Sequence, residues 1–443
     1  MSQKQEILLA KGVRDWYGKQ AILRNRVKDT LRSLFERYGF NPLETPVIER
    51  QEMLAIKGGG EIQKEVFRLS DQGKRNLALR FDHTVPLARF YANNSELKIP
   101  YKRYVIGEVF RDGPTQPDQG RYRIFTQCDV DVIGVGTMAA EAELLTLASD
   151  AFEALGLGSV VVKFNNRKVL DGIMDYAKVP ANVKGQTILI LDKLEKFGED
   201  QVKKELREME GSSLSNSSIE LLLTTISTQG SNAQRIDFLY KIISTSFGKE
   251  GLVEICQVLD YCDNMGLKAV EFDPSLARGL DYYTGTTFEV FLQNKDIVNS
   301  AIVAGGRFDN MIGDFKGSRD PIPAIGISFG LERICMTLES TLTQLDDTTT
   351  ELFIIPLGTM GESLRIAHIL RKNGVCVDID LTGRSLKAAL RYANALSIPY
   401  VGIIGDDELA KGVITVKRFS DSFQNQVSVQ DVKGYLLKSS VAS

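Results

Sequence analysis

The chain has 443 residues, of which 43% are hydrophobic and 25% charged, and its formal net charge is −3. These values are ordinary for a globular protein and exclude a disordered chain, a collagen-like chain and a small disulfide scaffold. The length predicts roughly three domains, and the slightly acidic balance gives no sign of a nucleic-acid partner, which more often shows as a basic excess.

Histidine and cysteine are scarce, with two and five residues respectively. A His-rich metal site is therefore not expected, and Ser-His-Asp chemistry would have to use His83 or His368. No two cysteines form a C-x-x-C pair, and an odd, scattered count fits a reducing compartment. The first residues lack a signal-peptide core, and no run of about 18 apolar residues occurs, so we expect a cytoplasmic protein without a membrane span.

The first predicted element is a helix over 20–38. Apolar residues recur there at spacings of three and four, as on one face of a helix: Leu23, Val27, Leu31, Leu34, Phe35 and Tyr38. Gly39 follows at the position where a glycine often ends a helix in a left-handed conformation. The next ten residues contain Pro42 and Pro46 and predict an irregular or edge strand.

The middle of the chain alternates between strand and helix patterns. Residues 66–90 predict strand, turn, strand and helix, and 103–135 predict two strands joined by the polar loop RDGPTQPDQG, a connection of the kind that carries function. A helix over 138–155 and a strand, VVVKFN, come next. Residues 168–250 are charged, Ser-rich and poor in strand signals, which predicts an inserted helical module.

Strand patterns return after residue 268 and end in a strand that enters a helix, PAIGISFGLERICMTLE. TLTQLDDTTTE is a polar linker. The remaining part alternates strand and helix, with a helix ending at Gly374 and another over 385–396, and predicts a compact α/β unit.

Three segments concentrate side chains that could carry chemistry. In the strand after the polar loop, residues of alternating positions share one face, and this face is too polar for a core: Arg123, Phe125, Gln127, Asp129 and Asp131. It is either a solvated sheet face or a buried face whose partners a ligand supplies. ARGLDYYTG holds Arg278, either an anion clamp or a surface arginine. Asp82 and Thr84 either cap a helix or bind a ligand.

Taken in order, these segments resemble the histidyl-tRNA synthetases, a family of class II aminoacyl-tRNA synthetases, over nearly the whole chain. GVRDW is similar to the opening segment of the family, and TPVIE lies where the dimer-forming first class II motif ends. Residues 110–134 resemble the second motif and GISFGLERI the third. ARGLDYYTG and AGGRFDNM are specific to the family. LRFDHTVPLAR and QCDVDVIG favour its eukaryote-like form, because the usual bacterial form has Glu at both acidic positions.

The resemblance implies an α+β fold, in which a class II catalytic domain with an antiparallel sheet carries a helical insertion and is followed by a C-terminal α/β anticodon-binding domain. The implied domain limits are 1–167 and 251–340 for the catalytic domain, 168–250 for the insertion, 341–351 for the linker and 352–443 for the anticodon-binding domain. It further implies a homodimer that uses ATP with Mg²⁺, whose protein ligands stay unknown, L-histidine and histidine tRNA.

The resemblance also implies roles for individual residues. Arg278 and Arg111 would be catalytic. The histidine-binding set would be Asp82, His83, Thr84, Arg111, Gln127, Asp131, Arg278, Tyr282 and Tyr283. Within it, Asp82 and Thr84 would hold the α-amino group, and Asp131 and Tyr283 would read the imidazole. The ATP-binding set would be Arg111, Arg121, Phe125 and Arg333.

Two departures from the family pattern stand out. The motif that usually reads GGRYD is GGRFD here, so Phe308 lacks a pocket hydroxyl. The second-motif loop has no Lys or Arg between Asp112 and Gln119, so Gln116 and Gln119 would have to supply the hydrogen bonds to the acceptor end of the tRNA.

The charge of the C-terminal unit supports an RNA partner. Residues 352–443 contain 11 Lys and Arg against 8 Asp and Glu, whereas the rest of the chain contains 43 against 49. Arg384, Lys387 and Arg391 are spaced three and four apart and form a basic stripe that either binds tRNA or is a solvated helix face. Leu386 and the apolar residues after it would face the sheet.

Two alternatives have a different function. A non-catalytic paralogue of the family acts as a regulatory subunit of the ATP phosphoribosyltransferase of histidine biosynthesis, but such paralogues generally lack the C-terminal domain and depart from the R-G-L-D-Y-Y motif. A sensor of uncharged tRNA would be expected to carry a linked kinase-like segment. Both motif and domain are present in this chain, so the catalytic member is the prediction.

Overall fold

The computed structural model describes residues 8–55, 64–209, 214–279, 282–294, 298, 300–318, 320–342, 345–421 and 423–440. The described residues form two compact units, one within 1–14 and 26–341 and the other within 15–25 and 342–443. In the described part of the chain, no helix is long and apolar enough to cross a membrane.

The first elements follow the predicted order, except that the short helix Gln51–Ala55 was not predicted. They are α1 (Gly18–Arg37), β1 (Asn41–Pro42), β2 (Ile48–Arg50), α2 (Gln51–Ala55), β3 (Arg68–Ser70), β4 (Asn76–Leu79), α3 (Thr84–Asn93), β5 (Tyr101–Phe110), β6 (Ile124–Ile133), α4 (Ala139–Ala154) and β7 (Val160–Asn166). The apolar face predicted for α1 is buried apart from half-buried Tyr38, and Gly39 has a φ of 77° as expected for a helix-ending glycine.

Helices occupy most of the next hundred residues. They are α5 (Arg167–Tyr176), α6 (Lys184–Leu191), α7 (Leu194–Glu208), α8 (Asn216–Ile226), α9 (Asn232–Ile242) and α10 (Ser246–Asn264). The limits 168–250 of the insertion stay a prediction. Helix α10 crosses the second of these limits, since it continues to Asn264. The unit ends with β8 (Val270–Phe272), β9 (Thr286–Leu292), β10 (Val303–Arg307), α11 (Asp309–Phe315), β11 (Ala324–Gly330) and α12 (Leu331–Thr341).

An eight-stranded sheet organises the first unit, in the order β1-β5-β6-β11-β10-β9-β7-β8. Its six central strands pair antiparallel, and only the edge strands β1 and β8 pair parallel. Helix α1 packs on this sheet through Phe35, whose ring centroid lies 5.8 Å from that of Tyr104 and 5.6 Å from that of Phe329. A smaller antiparallel sheet has the order β2-β4-β3. The predicted antiparallel-sheet fold is confirmed.

The second unit is the predicted α/β unit. It comprises β12 (Leu352–Pro356), α13 (Met360–Lys372), β13 (Val377–Ile379), α14 (Leu386–Ala395), β14 (Tyr400–Ile404), α15 (Asp406–Lys411), β15 (Val413–Arg418), β16 (Gln424–Ser428) and α16 (Val432–Ser440). Its sheet order is β13-β12-β14-β15-β16, with the first three strands parallel. The antiparallel pair β15 and β16 was not predicted from the sequence; β16, QNQVS, is mostly polar and exposed and carries a weak strand pattern.

The arginine of the GGRFD motif has a structural partner. Arg307 donates from Nε and Nη2 to the two carboxylate oxygens of Glu141 at 2.7 and 2.8 Å, and both side chains are buried. Arg307 also lies 3.3 Å from Asp309. This bidentate pair ties α4 to the end of β10, beside the turn that leads into Phe308.

We predict that Glu141→Gln lowers the free energy of unfolding of the first unit by about 3–5 kcal/mol, because it leaves the Arg307 guanidinium buried without its full counter-charge. Chemical denaturation followed by circular dichroism measures this value. Asp237→Asn is the matched control, since its ion pair with Lys241 is exposed on both sides and should contribute less than about 1 kcal/mol. Equal losses in the two variants would contradict a structural role of the buried pair.

Candidate active site

The predicted polar face of β6 lines a cavity of about 460 Å³ in the first unit. Phe125, Gln127, Asp129 and Asp131 all reach it, as their alternation along the strand requires. Arg123 does not; it precedes the strand and lies 3.2 Å from Asp112. The face is therefore a cavity wall and not a solvated surface.

Two carboxylates form the floor of the cavity, and one guanidinium outside the lining supports them. Asp129 and Asp131 are 4% and 2% exposed, and Arg103 beneath them is 2% exposed. The Arg103 Nη2 lies 2.7 Å from the Asp131 carboxylate and donates to the carbonyl of His83 at 3.1 Å. Burial raises the pKa of Asp129 to about 7 and that of Asp131 to about 6, although Arg103 opposes both shifts.

Two glycines leave space beside the side chains that line the cavity floor. A methyl group at Gly326 would lie 2.0 Å from Asp131 Oδ1, and one at Gly306 would lie 2.8 Å from the ring of Tyr283. Gly326 faces Asp131 across the β6–β11 pairing. Any side chain at these positions would therefore collide with residues predicted to read the ligand.

The start of α3 contributes Asp82 and Thr84 to the cavity. Asp82 Oδ1 accepts from the backbone N–H of Val85 at 3.0 Å, so Asp82 caps the helix and faces the cavity at once. Burial raises the pKa of Asp82, while this hydrogen bond and Arg111 lower it. The capping interpretation is confirmed, and ligand binding by Asp82 and Thr84 stays a prediction.

His83 does not line the cavity, so its predicted part in histidine binding stays a prediction that the lining does not support. Its ring is buried, Nε2 lies 3.1 Å from the carbonyl of Gly107, and burial together with Arg103 and Arg80 lowers its pKa to about 3. The side chain is a neutral part of the packing beneath the floor. Adjacent positions at a helix start point in different directions, so neighbours of Asp82 and Thr84 in the motif need not share their surface.

Four arginines line the walls. Arg111 stacks with its Cζ 4.1 Å from the ring centroid of Phe81 and 5.1 Å from that of Phe125. Arg333 Nη1 donates to the carbonyl of Ala301 at 2.5 Å. The lining also includes Arg121, Arg278 and the two loop glutamines of the prediction, Gln116 and Gln119.

Arg278 is held by a carboxylate of the sheet. Its guanidinium forms an ion pair with Glu289 on β9. Burial lowers the pKa of Arg278, but Glu289 and Tyr283 outweigh burial and hold the pKa above its usual value. Tyr282 and Tyr283 follow in the same segment, with ring centroids 4.9 Å apart; Leu280 and Asp281 between them and Arg278 lie outside the described residues. Phe308 packs edge-on to Tyr282 at 6.4 Å.

Residues of the cavity lining that sequence reasoning missed include Asp192, Lys196 and Glu289. Asp129 was recognised on the polar strand face but was given no role. Glu289 alternates along β9 in the same way. Asp192 and Lys196 belong to the helical stretch, and no local signal connects them to a cavity built from strands.

In the second unit, the predicted basic stripe is split. Arg384 precedes α14; its guanidinium lies 2.6 Å from Asp380 and 4.1 Å from the ring centroid of Tyr392. Lys387 and Arg391 are exposed on α14. Leu386 was expected to face the sheet and is instead 36% exposed, because it occupies the first position of the helix, where the chain has not yet turned toward the sheet.

Comparison with known proteins identifies this arrangement. The sequence model of histidyl-tRNA synthetase matches residues 12–334, and that of the anticodon binding domain matches 351–439. The chain belongs to the histidyl-tRNA synthetase family. It is 41% identical over 440 residues to Histidine--tRNA ligase 1 of Bacillus cereus, covering 97% of this chain and all of the relative. It is 39% identical to Histidine--tRNA ligase 2 of Shouchella clausii, covering 94% and 97%.

Solved structures agree with this assignment. The histidyl-tRNA synthetase of Nostoc sp. PCC 7120 superposes with a TM-score of 0.84 at 29% identity, covering 98% of this chain and all of that one. A Bacillus halodurans protein described as an ATP phosphoribosyltransferase regulatory subunit/histidyl-tRNA synthetase superposes at 0.72 with 22% identity, covering 88% and 97%, and shows the shared fold only. The eukaryote-like form favoured by two motifs stays a prediction; the relatives named here are bacterial.

We predict that Gly326→Ala raises the concentration of histidine needed for half-saturation about hundredfold, because the added methyl group displaces the Asp131 carboxylate by an ångström or more. Isothermal titration with L-histidine measures this. Gly361→Ala, where a methyl group meets nothing within 4 Å, should leave the affinity unchanged. Unchanged affinity in Gly326→Ala would show that Asp131 does not contact the amino acid.

Proposed function

We propose that this cavity performs the two reactions of a histidine--tRNA ligase, activation of L-histidine by ATP and transfer of histidine to the 3′ end of histidine tRNA. One observation carries the assignment: a floor of buried carboxylates and walls bearing four arginines line the same cavity. The carboxylates suit the cationic and N–H groups of an amino acid, and the guanidinium groups suit the phosphates of ATP.

The amino acid would occupy the floor. Asp82 and Thr84 would hold the α-ammonium group, and Gln127 would contact the backbone end. Asp131 and Tyr283 would bind the two imidazole nitrogens, of which one donates and one accepts in the neutral ring. Tyr282 would pack beside the ring, with Phe308 behind it. A ligand without these polar groups would leave buried acceptors unpaired, which makes such a site selective.

ATP would bind along the arginine-bearing walls. Arg121 and Arg333 would hold the outer phosphates, Arg111 would bridge the α-phosphate and the histidine carboxylate, and Phe125 would stack on adenine. The position of Arg111 supports this arrangement, since its guanidinium already lies against the Phe125 ring at 5.1 Å. A nucleotide base could continue the same stack.

The first reaction is attack of the histidine carboxylate on the α-phosphorus, which forms the P–O bond of histidyl-adenylate and breaks the bond to pyrophosphate. Arg278 would stabilise the charge that develops on the α-phosphoryl oxygens in the transition state. Its ion pair with Glu289 fixes the guanidinium before the substrates arrive, so little reorganisation is needed during the reaction.

Mg²⁺ would enter with ATP. The described residues include no cluster of three or more His, Cys, Asp or Glu side chains suited to a metal ion. Mg²⁺ usually keeps waters and binds substrate phosphates with only one or two carboxylates. The cavity lining contains Glu65, Glu289 and Glu332, of which Glu289 pairs with Arg278 and Glu332 accepts from the backbone N–H of Thr126. When bound, the ion would neutralise phosphate charge.

The second unit would bind the anticodon end of the tRNA through its basic excess, with Gln116 and Gln119 meeting the acceptor end. We also propose a cytoplasmic homodimer. The five cysteines form no disulfide, and Val47 and Ile48, in the segment that resembles the dimer-forming motif, are 39% and 51% exposed. The regulatory-subunit alternative is less well supported, because the chain carries both the family-specific motifs and the anticodon-binding domain.

We predict histidine-dependent exchange of pyrophosphate into ATP. Arg278→Ala should reduce the exchange rate about 10²- to 10³-fold while histidine affinity changes much less, because the lost contact forms mainly in the transition state. Radiolabelled pyrophosphate exchange gives the rate, and calorimetry gives the affinity.

Arg365→Ala is the control for this variant, since Arg365 pairs with Glu362 on the exposed face of α13 and should leave exchange unchanged. Absence of exchange in the unmodified protein would refute the proposed function. A parallel loss of affinity and rate in Arg278→Ala would instead assign Arg278 to ground-state binding.

For the second unit, we predict that the double variant Lys387→Glu and Arg391→Glu raises the KM for histidine tRNA about tenfold or more in aminoacylation, because two attractive phosphate contacts become repulsive. Pyrophosphate exchange should stay unchanged. The charge-matched control is Lys241→Glu with Lys268→Glu, both exposed in the first unit. A KM equal to that of the control would exclude α14 from the tRNA interface.

A further inference from the structure

One hydrogen-bond acceptor on the cavity floor, the Asp129 carboxylate, contacts no substrate group under the proposed function. Asp129 lies on β6 between Gln127 and Asp131, is 4% exposed and lines the cavity. The hydroxyl of Ser328 on β11 hydrogen-bonds to its carboxylate, but Oδ1 has no hydrogen-bond partner among the described residues. A buried carboxylate oxygen without a donor is costly, so its retention at this position indicates a ligand that supplies one.

The charge of the floor specifies what kind of donor is needed. Arg103 is the cation that acts most on Asp129 and Asp131, whereas Arg111 acts more on Asp82 than Arg103 does. Arg80 also acts on Asp129, and its Nε and Nη1 donate to the carbonyls of Glu108 and Thr45. Under the proposed function Arg111 holds the α-phosphate and the histidine carboxylate, so the buried acids beside Arg103 favour a cationic group of the ligand.

Histidine brings one group that is cationic across the neutral pH range, its α-ammonium, whereas its ring is mostly neutral above a pKa of about 6.5. The ammonium has three N–H donors. Under the proposed function, Asp82 and Thr84 accept two of them, and the ring nitrogens are already assigned to Asp131 and Tyr283. Alternate residues of a strand lie about 6.6 Å apart. Asp129 therefore lies about this distance from Gln127, which would contact the backbone end of the amino acid.

We propose that Asp129 is a specificity-determining residue for the amino acid: its Oδ1 accepts the third N–H of the α-ammonium group, opposite Asp82. This inference rests on the proposed function and deepens it, since two carboxylates then select an amino acid over the corresponding hydroxy acid. Gln127 Oε1, which also has no hydrogen-bond partner among the described residues, is the rival acceptor.

The pH dependence of binding follows from this arrangement. Burial raises the pKa of Asp129 to about 7, with Asp131 and Asp82 adding to burial and Arg103 and Ser328 opposing it. His83 stays neutral near pH 7, since its pKa is about 3. Binding of an ammonium group favours the ionised carboxylate. Asp129 therefore loses its proton on binding, and histidine affinity falls as pH decreases below about 7.

The test compares the unmodified chain with Asp129→Asn by calorimetry. At pH 8 the variant should bind L-histidine roughly 10- to 100-fold more weakly, the usual loss for a charge-assisted hydrogen bond. The affinity for imidazole lactate, which carries a hydroxyl in place of the ammonium, should change little. The preference for the amino acid should therefore fall by the same factor. Asp150→Asn is the matched control; its carboxylate accepts from Tyr38 outside the cavity at 2.6 Å.

A second measurement uses the unmodified chain and does not depend on the stability of a variant. Titrations at pH 6.5 in two buffers of different ionisation enthalpy should show about 0.8 of a proton released per histidine bound from Asp129 alone, given its pKa of about 7. Imidazole lactate measured in the same way should release less by about that amount.

The outcomes separate the two proposals. Equal losses of histidine and imidazole lactate in Asp129→Asn, or equal proton release for the two ligands, would overturn the role of Asp129. If Gln127→Leu lowers the preference for the amino acid and Asp129→Asn does not, Gln127 is the acceptor and the inference is wrong. Absence of histidine-dependent pyrophosphate exchange would refute the proposed function itself, whatever these titrations show.

Discussion

The buried contact between Arg103 and Asp131 is the interaction on which the site depends. A carboxylate at 2% exposure is costly unless a cation or several donors accompany it. Arg103 supplies that cation from the neighbouring strand and is itself buried, so neither charge can be removed without stranding the other. The pair allows β6 to present acidic side chains to a cavity instead of the apolar side chains that this depth in a sheet would otherwise require.

The sheet pairing holds this contact in place. Arg103 on β5 and Gly326 on β11 are the two neighbours of Asp131 across the strands. A register slip of one residue on either side would turn the opposing residue to the other face, removing the arginine or placing a side chain where Gly326 leaves room. The long antiparallel pairing between β5 and β6, ten residues on each strand, makes such a slip expensive. The strand register therefore determines the geometry of the site more than the position of any single loop does.

Much of this could be predicted from the sequence where the signal is local. The apolar face of α1, the polar face of β6 and the α/β pattern of the second unit follow from periodicity within ten to twenty residues. Arg103 could not be assigned to the floor, because its partner Asp131 lies on the next strand and only the register connects them. Asp192 and Lys196 required the path of the helical stretch. The absence of His83 from the cavity lining could not be predicted, because neighbours in one motif need not point in the same direction.

The same reasoning explains why the total charge is a poor guide to partners. The chain has a net charge of −3, but its charges serve different purposes in different places. Asp82, Asp129 and Asp131 are buried, so they add little to the field outside, and under the proposed function they act over a few ångströms on a small cation. The basic excess of residues 352–443 includes exposed Lys387 and Arg391, which under the same proposal act on a polyanion through solvent. A nucleic-acid partner is therefore indicated by the exposed charge of one unit, while the buried acids of the other indicate the amino acid.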